Sequence, residues 1–165
     1  MDSYVECLVK AKPQGMWKFL KVLLIMLTVV FVLLSLMGVV LMFVFAICSG
    51  VGAYFVNLKA NIEYEYLYLD KELTIDKIMA QTKRKRVAVY KLDSMEIFAP
   101  IKSYHLDNYK NRQATAVKDY SIGEELKPDR RYVFFYEGGQ KIIISPSEEM
   151  VKAMKMVAPR KVFND

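Results

Sequence analysis

Residues 22–58 carry no charged side chain and are almost wholly apolar, whereas charged residues are scattered through the rest of the chain. As one straight helix, the run between Lys21 and Lys59 would extend about 55 Å, against roughly 30 Å for the hydrocarbon core of a bilayer. Two spans of about 20 residues each fit better. The first covers 16–37, with Lys18 and Lys21 reaching back to the interface, and the second covers 39–57. The reversal falls at Met37-Gly38, because glycine accepts the backbone of an abrupt turn; a tilted or kinked single span is the alternative. Trp17 and Phe19 at one end, and Tyr54 and Phe55 at the other, suit the membrane interface. Ala46, Ser49, Gly50, Gly52 and Ala53 give the second helix a small-residue surface. Ala46/Gly50 and Ser49/Ala53 have the spacing for close contact, with the first helix or with a partner.

Before this run, Ser3 and Glu6 fit a capping box, and Tyr4, Val5, Leu8 and Val9 share one face of a short helix that Pro13 and Gly15 end. Residues 1–15 are therefore expected as an interfacial segment on the membrane surface, with a frayed tail as the alternative.

After Lys59 the period changes to two. Ile62 to Leu69 alternates, placing Tyr64, Tyr66 and Tyr68 on one face and Leu67 and Leu69 on the other. Asp70-Lys71 supplies a turn, Leu73 to Ile78 a second strand, Lys83 to Arg86 a charged turn, and Val87 to Tyr90 a third strand. A short turn or helix at Asp93 to Met95 precedes apolar Ile97-Phe98, which Pro100 closes. Residues 103–121 read as a loop with short edge strands. Arg131 to Tyr136 and Lys141 to Ile144 form a hairpin around Gly138-Gly139. Ser145 then caps a helix with Pro146 at its first position and Glu148 completing Ser-x-x-Glu. Met150, Val151, Met154 and Val157 form its apolar stripe. The fold class is a membrane α-helical hairpin plus an α+β domain over 59–165, an antiparallel sheet or barrel closed by a carboxy-terminal helix.

Charge settles the expected orientation. The net charge of +6 divides into +2 for residues 1–21 and +4 for residues 59–165. Lys10, Lys12, Lys18 and Lys21 before the run, and Lys59 after it, predict that both termini stay in the cytoplasm. The basic balance does not indicate nucleic acid, because acids are interspersed and no basic stripe with stacking aromatics occurs. Cys7 and Cys48 fall at different depths and suggest no disulfide. A cleaved signal peptide is not expected, since the apolar run far exceeds an h-region of about 7 to 15 residues. Ile47 before Cys48 also argues against a lipoprotein site.

The element order, with the Tyr-rich strand, Leu73-Thr74-Ile75, the basic segment and Lys91-Leu92-Asp93-Ser94-Met95-Glu96-Ile97 before a terminal amphipathic helix, resembles the bacterial pleckstrin-homology-like domains of small membrane proteins. It is similar to an uncharacterised family of two-span bacterial proteins. The resemblance implies a fold and no activity.

No motif for catalysis, cofactor or metal is found. Glu63 and Glu65 share a strand face roughly 7 Å apart, a separation also used by inverting glycosidases, but exposed carboxylates near basic residues account for them. His105 lacks neighbouring ligands, and Gly138-Gly139 lacks a phosphate-loop context. The run Lys83, Arg84, Lys85, Arg86 suits either a solvated turn or contact with anionic lipid or an acidic partner. The expectation is a non-enzymatic module anchored in the bacterial cell membrane, presenting its cytoplasmic domain either to an unidentified protein partner, with Tyr64, Tyr66 and Tyr68 as the contact face, or to the lipid surface. An accessory subunit of a transporter or enzyme complex, assembled through the second helix, is the alternative.

Overall fold

The computed structural model describes residues 4–12, 15–110, 112–123 and 129–164. It divides into two compact units: a helix unit of Pro13–Ile62 and Met79–Lys83, and a sheet unit of Met1–Lys12, Glu63–Ile78 and Arg84–Asp165.

In the helix unit, α1 (Gly15–Leu36) and α2 (Leu41–Ala60) form a hairpin. Gly38 sits at φ +96°, a left-handed conformation that glycine accepts without steric cost, so the reversal occurs at the expected residue. α1 buries none of its residues and presents apolar side chains all round. Ala46, Ser49 and Ala53 of α2 are buried. Thr28 Oγ1 lies 2.8 Å from the Leu24 carbonyl and 2.9 Å from Ser49 Oγ, which is 3.0 Å from the Ala46 carbonyl. Each hydroxyl has one proton, so one bridges the helices while the other returns to its own backbone. A Cβ at Gly50 would meet Thr28 Cγ2 at 3.8 Å, and Phe31 packs on Phe45 with ring centroids 5.8 Å apart.

The sheet unit contains a four-stranded sheet in the order β1 (Val5–Lys10), β2 (Ile62–Leu69), β3 (Glu72–Met79), β4 (Lys83–Lys91). Residues 5–10 are thus a strand, correcting the expected surface helix and the boundary at residue 15. β1 pairs antiparallel with β2, Val5 facing Tyr68, Cys7 facing Tyr66 and Lys10 facing Glu63. The alternation of Val5, Cys7 and Val9 with Glu6 and Lys10 suits this half-buried position, and the backbone bonds of β2 outweigh a local helix that is marginal by itself.

The second sheet has the order β5 (Met95–Pro100), β7 (Tyr132–Tyr136), β8 (Gln140–Ile144), β6 (Ala116–Asp119). β6 runs parallel to β8, and the other pairings in this sheet are antiparallel. Of the expected antiparallel sheet or barrel, the barrel is not formed and there are two sheets: β4 and β5 are neighbours in sequence, but each is the last strand of its own sheet. The inner side of both sheets shares one core, including Tyr66, Tyr68, Leu73, Ile75, Phe98, Phe134, Ile142 and Ile144. Met150, Val151, Ala153 and Met154 from the helix Glu148–Val157 enter that core. A smaller cluster of Ile97, Ala99, Leu106, Val133 and Phe135 covers the other side of the second sheet. After the helix, the chain returns to β5, where Phe98 N–H donates to the Lys161 carbonyl at 2.8 Å.

Two local expectations change. The turn between β3 and β4 is at Ala80 and Gln81, both at positive φ, and Lys83 to Arg86 already belong to β4. The carboxy-terminal helix is capped by Ser147, which accepts the Met150 N–H at 3.2 Å. Ser145 is buried and its hydroxyl accepts the Ile122 N–H at 3.3 Å, so it is not free to cap.

Candidate interaction surfaces

The tyrosines of β2 face inward. Tyr66 and Tyr68 are only 0% and 1% exposed, and Tyr64 is half-buried against the same core. Tyr66 Oη donates to the Tyr120 carbonyl at 2.6 Å and accepts the Ser145 N–H at 3.3 Å. Tyr64 meets Tyr120 edge to face with centroids 5.3 Å apart. The expected partner face is therefore a core face. Large aromatic rings contribute most when their area is removed from water and the hydroxyl finds a partner inside. Desolvation pushes the Tyr66 phenol far above its ordinary range and fixes it as a neutral donor at physiological pH.

The basic run is divided by strand geometry. Arg84 Nη2 pairs with Glu65 Oε2, Arg84 Nε donates to Asp76 Oδ2 at 2.8 Å, and Arg86 Nε is 3.6 Å from Asp76 Oδ1. Glu65 and Asp76 are 7% and 4% exposed, so their carboxylates have lost most of their water and need these partners. Lys83 and Lys85 are exposed and make no ion pair among the described residues. The two arginines are committed to internal acids, and only the lysines present uncompensated charge.

Glu65, expected as an exposed carboxylate, is buried, while Glu63 is half-buried. Burial raises the pKa of Glu65, as does its side-chain hydrogen bond with Glu6, while the charge of Arg84 opposes the shift. The neighbourhood is a salt-bridged network on the side of β2 opposite Tyr66. Sequence reading missed Asp76 and Glu6 as its members. An acid beside Ile75 in an alternating strand was the available signal, but its partners lie on other strands.

The small-residue surface of α2 faces α1 at Ser49 and Gly50, through the Thr28 contacts already described. At the open end of the hairpin, Lys59 Nζ lies 4.8 Å from the centroid of the Trp17 ring, an attraction of a cation to the ring face. His105 is half-buried and stacks on Phe163, with centroids 3.7 Å apart. Gly138 and Gly139 both take φ +76° in the turn joining β7 to β8. No group of three or more His, Cys, Asp or Glu placed to hold a metal occurs among the described residues.

No curated protein and no solved structure matches the chain. A family model described as "Bacterial PH-like domain (DUF6106)" matches residues 1–164, including β1, the helical hairpin and both sheets, and the protein belongs to that family.

Proposed function

We propose that the protein is a membrane-anchored, non-enzymatic interaction module, in which a two-span hairpin holds the PH-like domain at the cytoplasmic face of the bacterial membrane for a protein partner. The observation that carries this reading is the insertion of the hairpin between two paired strands. Lys10 and Glu63 are register partners in one sheet, so the chain that leaves after β1 returns to the same place. A segment so tethered crosses a bilayer an even number of times. α1 and α2, with 22 and 20 residues, extend about 33 and 30 Å, matching a hydrocarbon core of about 30 Å. None of the residues of α1 is buried, and an unburied apolar helix of this length also favours lipid around it.

Tyr66 and Tyr68 are withdrawn from partner contact by burial, leaving the opposite side of β1 and β2 for that role. Leu8 and Leu69, 57% and 43% exposed, lie there beside the Glu65 network. The accessory-subunit reading loses much of its surface, because Ser49 and Gly50 meet α1.

The test is made in cells on a chain with Cys7→Ser and Cys48→Ala carrying one new cysteine, at Tyr4 or Lys161. A membrane-impermeant maleimide should label neither position until the cells are opened. Labelling of Lys161→Cys in intact cells would overturn the cytoplasmic assignment. Crosslinking in native membranes followed by mass spectrometry should capture a protein whose yield falls with Leu8→Asp. Purification only as a lone chain from gently solubilised membranes would remove the partner.

A further inference from the structure

The helix unit carries four lysines, Lys18, Lys21, Lys59 and Lys83, and not one of the 18 Asp and Glu of the chain. This charge is gathered at the open end of the hairpin. Lys18 and Lys21 occupy the first two turns of α1, and Lys59 the last turn of α2. Lys83 is brought there by the turn between β3 and β4: Ala80 N–H donates to the Asn61 carbonyl, just past the end of α2, at 2.7 Å. Trp17, in the first turn of α1, lies under the Lys59 ammonium. Asn57, Asn61, Gln81 and Thr82 add neutral hydrogen-bonding groups to the same unit. The far end of the hairpin is different in kind. Leu36, Met37, Val39, Val40 and Leu41 are all exposed and apolar, so all the interfacial chemistry of the unit is at one end.

We propose that Lys18, Lys21, Lys59 and Lys83, at the open end of the hairpin where Trp17 lies against Lys59, form a collar that binds the phosphate groups of anionic phospholipids in the leaflet where the hairpin enters. This deepens the membrane reading and rests on it. A helix held in a bilayer puts its terminal turns at headgroup depth, where lysine ammonium groups meet phosphate and an indole ring lies at the boundary of apolar and wet layers. None of the four lysines makes an ion pair among the described residues, and the anionic headgroup supplies their counter-charge. Arg84 and Arg86 differ, since Glu65 and Asp76 already neutralise them.

The full chain is reconstituted in phosphatidylcholine vesicles with or without phosphatidylglycerol. The chain has a single tryptophan, so emission from Trp17 reports the collar directly. Phosphatidylglycerol should shift that emission, and lipid retained on the protein in native mass spectrometry should be enriched in phosphatidylglycerol. Lys59→Gln with Lys83→Gln should lower the enrichment at least tenfold, given about fivefold for each lysine. Lys102→Gln with Lys152→Gln, far from the collar in sequence, should leave it unchanged. Equal enrichment in wild type and the Lys59/Lys83 variant, or none in either, overturns the collar while leaving the anchor intact. Release of the wild type from vesicles by alkaline carbonate would instead overturn the membrane reading, and the collar with it. Lysine-dependent capture of an acidic protein without lipid enrichment also overturns the proposal.

Discussion

The Tyr66 hydroxyl joins two segments distant in sequence, donating to the carbonyl of Tyr120 at 2.6 Å and accepting the N–H of Ser145 at 3.3 Å. Both backbone groups flank the second sheet, so one side chain from β2 satisfies polar atoms that the core would otherwise strand. Tyr66→Phe keeps the ring and removes the hydroxyl, and should lower unfolding free energy by about 1–3 kcal/mol, measured by denaturant titration of the sheet unit. A loss no greater than that of an exposed substitution would mean that water replaces the hydroxyl.

The sheet unit should require β1. Val9 is 7% exposed within the core, and its burial alone is worth about 1.5–3 kcal/mol. A fragment of residues 61–165 should therefore aggregate or show poor NMR dispersion. Residues 4–12 joined by a short Gly-Asn loop to residues 61–165 should give a soluble, dispersed domain, because Lys10 and Glu63 already face each other. Equal folding of the two would show that β1 is dispensable.

Glu65 makes stability depend on pH in a direction opposite to an ordinary salt-bridged acid. Its folded-state pKa is raised above the usual 4.5, chiefly by burial, so the folded chain keeps the proton to higher pH than the unfolded chain. Stability then falls as pH rises from the unfolded value through the raised folded value. In Glu65→Gln this decline should be absent, and its Tm should gain on the wild type as pH increases across that window. A constant Tm difference would contradict the raised ionisation.

Gly50→Leu should separate the two helices, since its added side chain starts 3.8 Å from Thr28 Cγ2. Thr28→Val is the milder change, removing the interhelical hydroxyl contact at a cost of about 0.6 kcal/mol. Disulfide trapping of cysteines at Phe31 and Phe45, whose rings are 5.8 Å apart, should fall sharply in Gly50→Leu and little in Thr28→Val.

The hairpin and its Gly38 reversal were legible because a long charge-free run leaves few alternatives, and the signal is local. The β7–β8 hairpin was legible for the same reason, with Gly138 and Gly139 between two apolar strands. Val5 to Lys10 was not, because Val-Glu-Cys-Leu-Val-Lys satisfies both periods, and the strand that decides between them lies beyond the hairpin. Lys83 to Arg86 resembled a turn since four charges suit water. Their place in a strand depends on Glu65 and Asp76, two buried carboxylates on different strands. The alternation of β2 was correct, but tyrosine occupies one face and leucine much of the other. Which face is inside follows from Tyr120 and Ser145, residues that the strand itself does not contain.

The pairing of β1 with β2 also imposes an order on biosynthesis. The ribosome releases β1 first, then the whole hairpin, and only then the strand that β1 must join. During translation the amino-terminal strand waits with Val5, Cys7 and Val9 unsheltered. On the two-span reading proposed above, a hairpin that stopped after one crossing would leave the two strands on opposite sides of the membrane, and the first sheet would lack its edge. On that reading, completion of the domain would depend on correct insertion, because β1 finds its partner only when both ends of the hairpin lie on the same side.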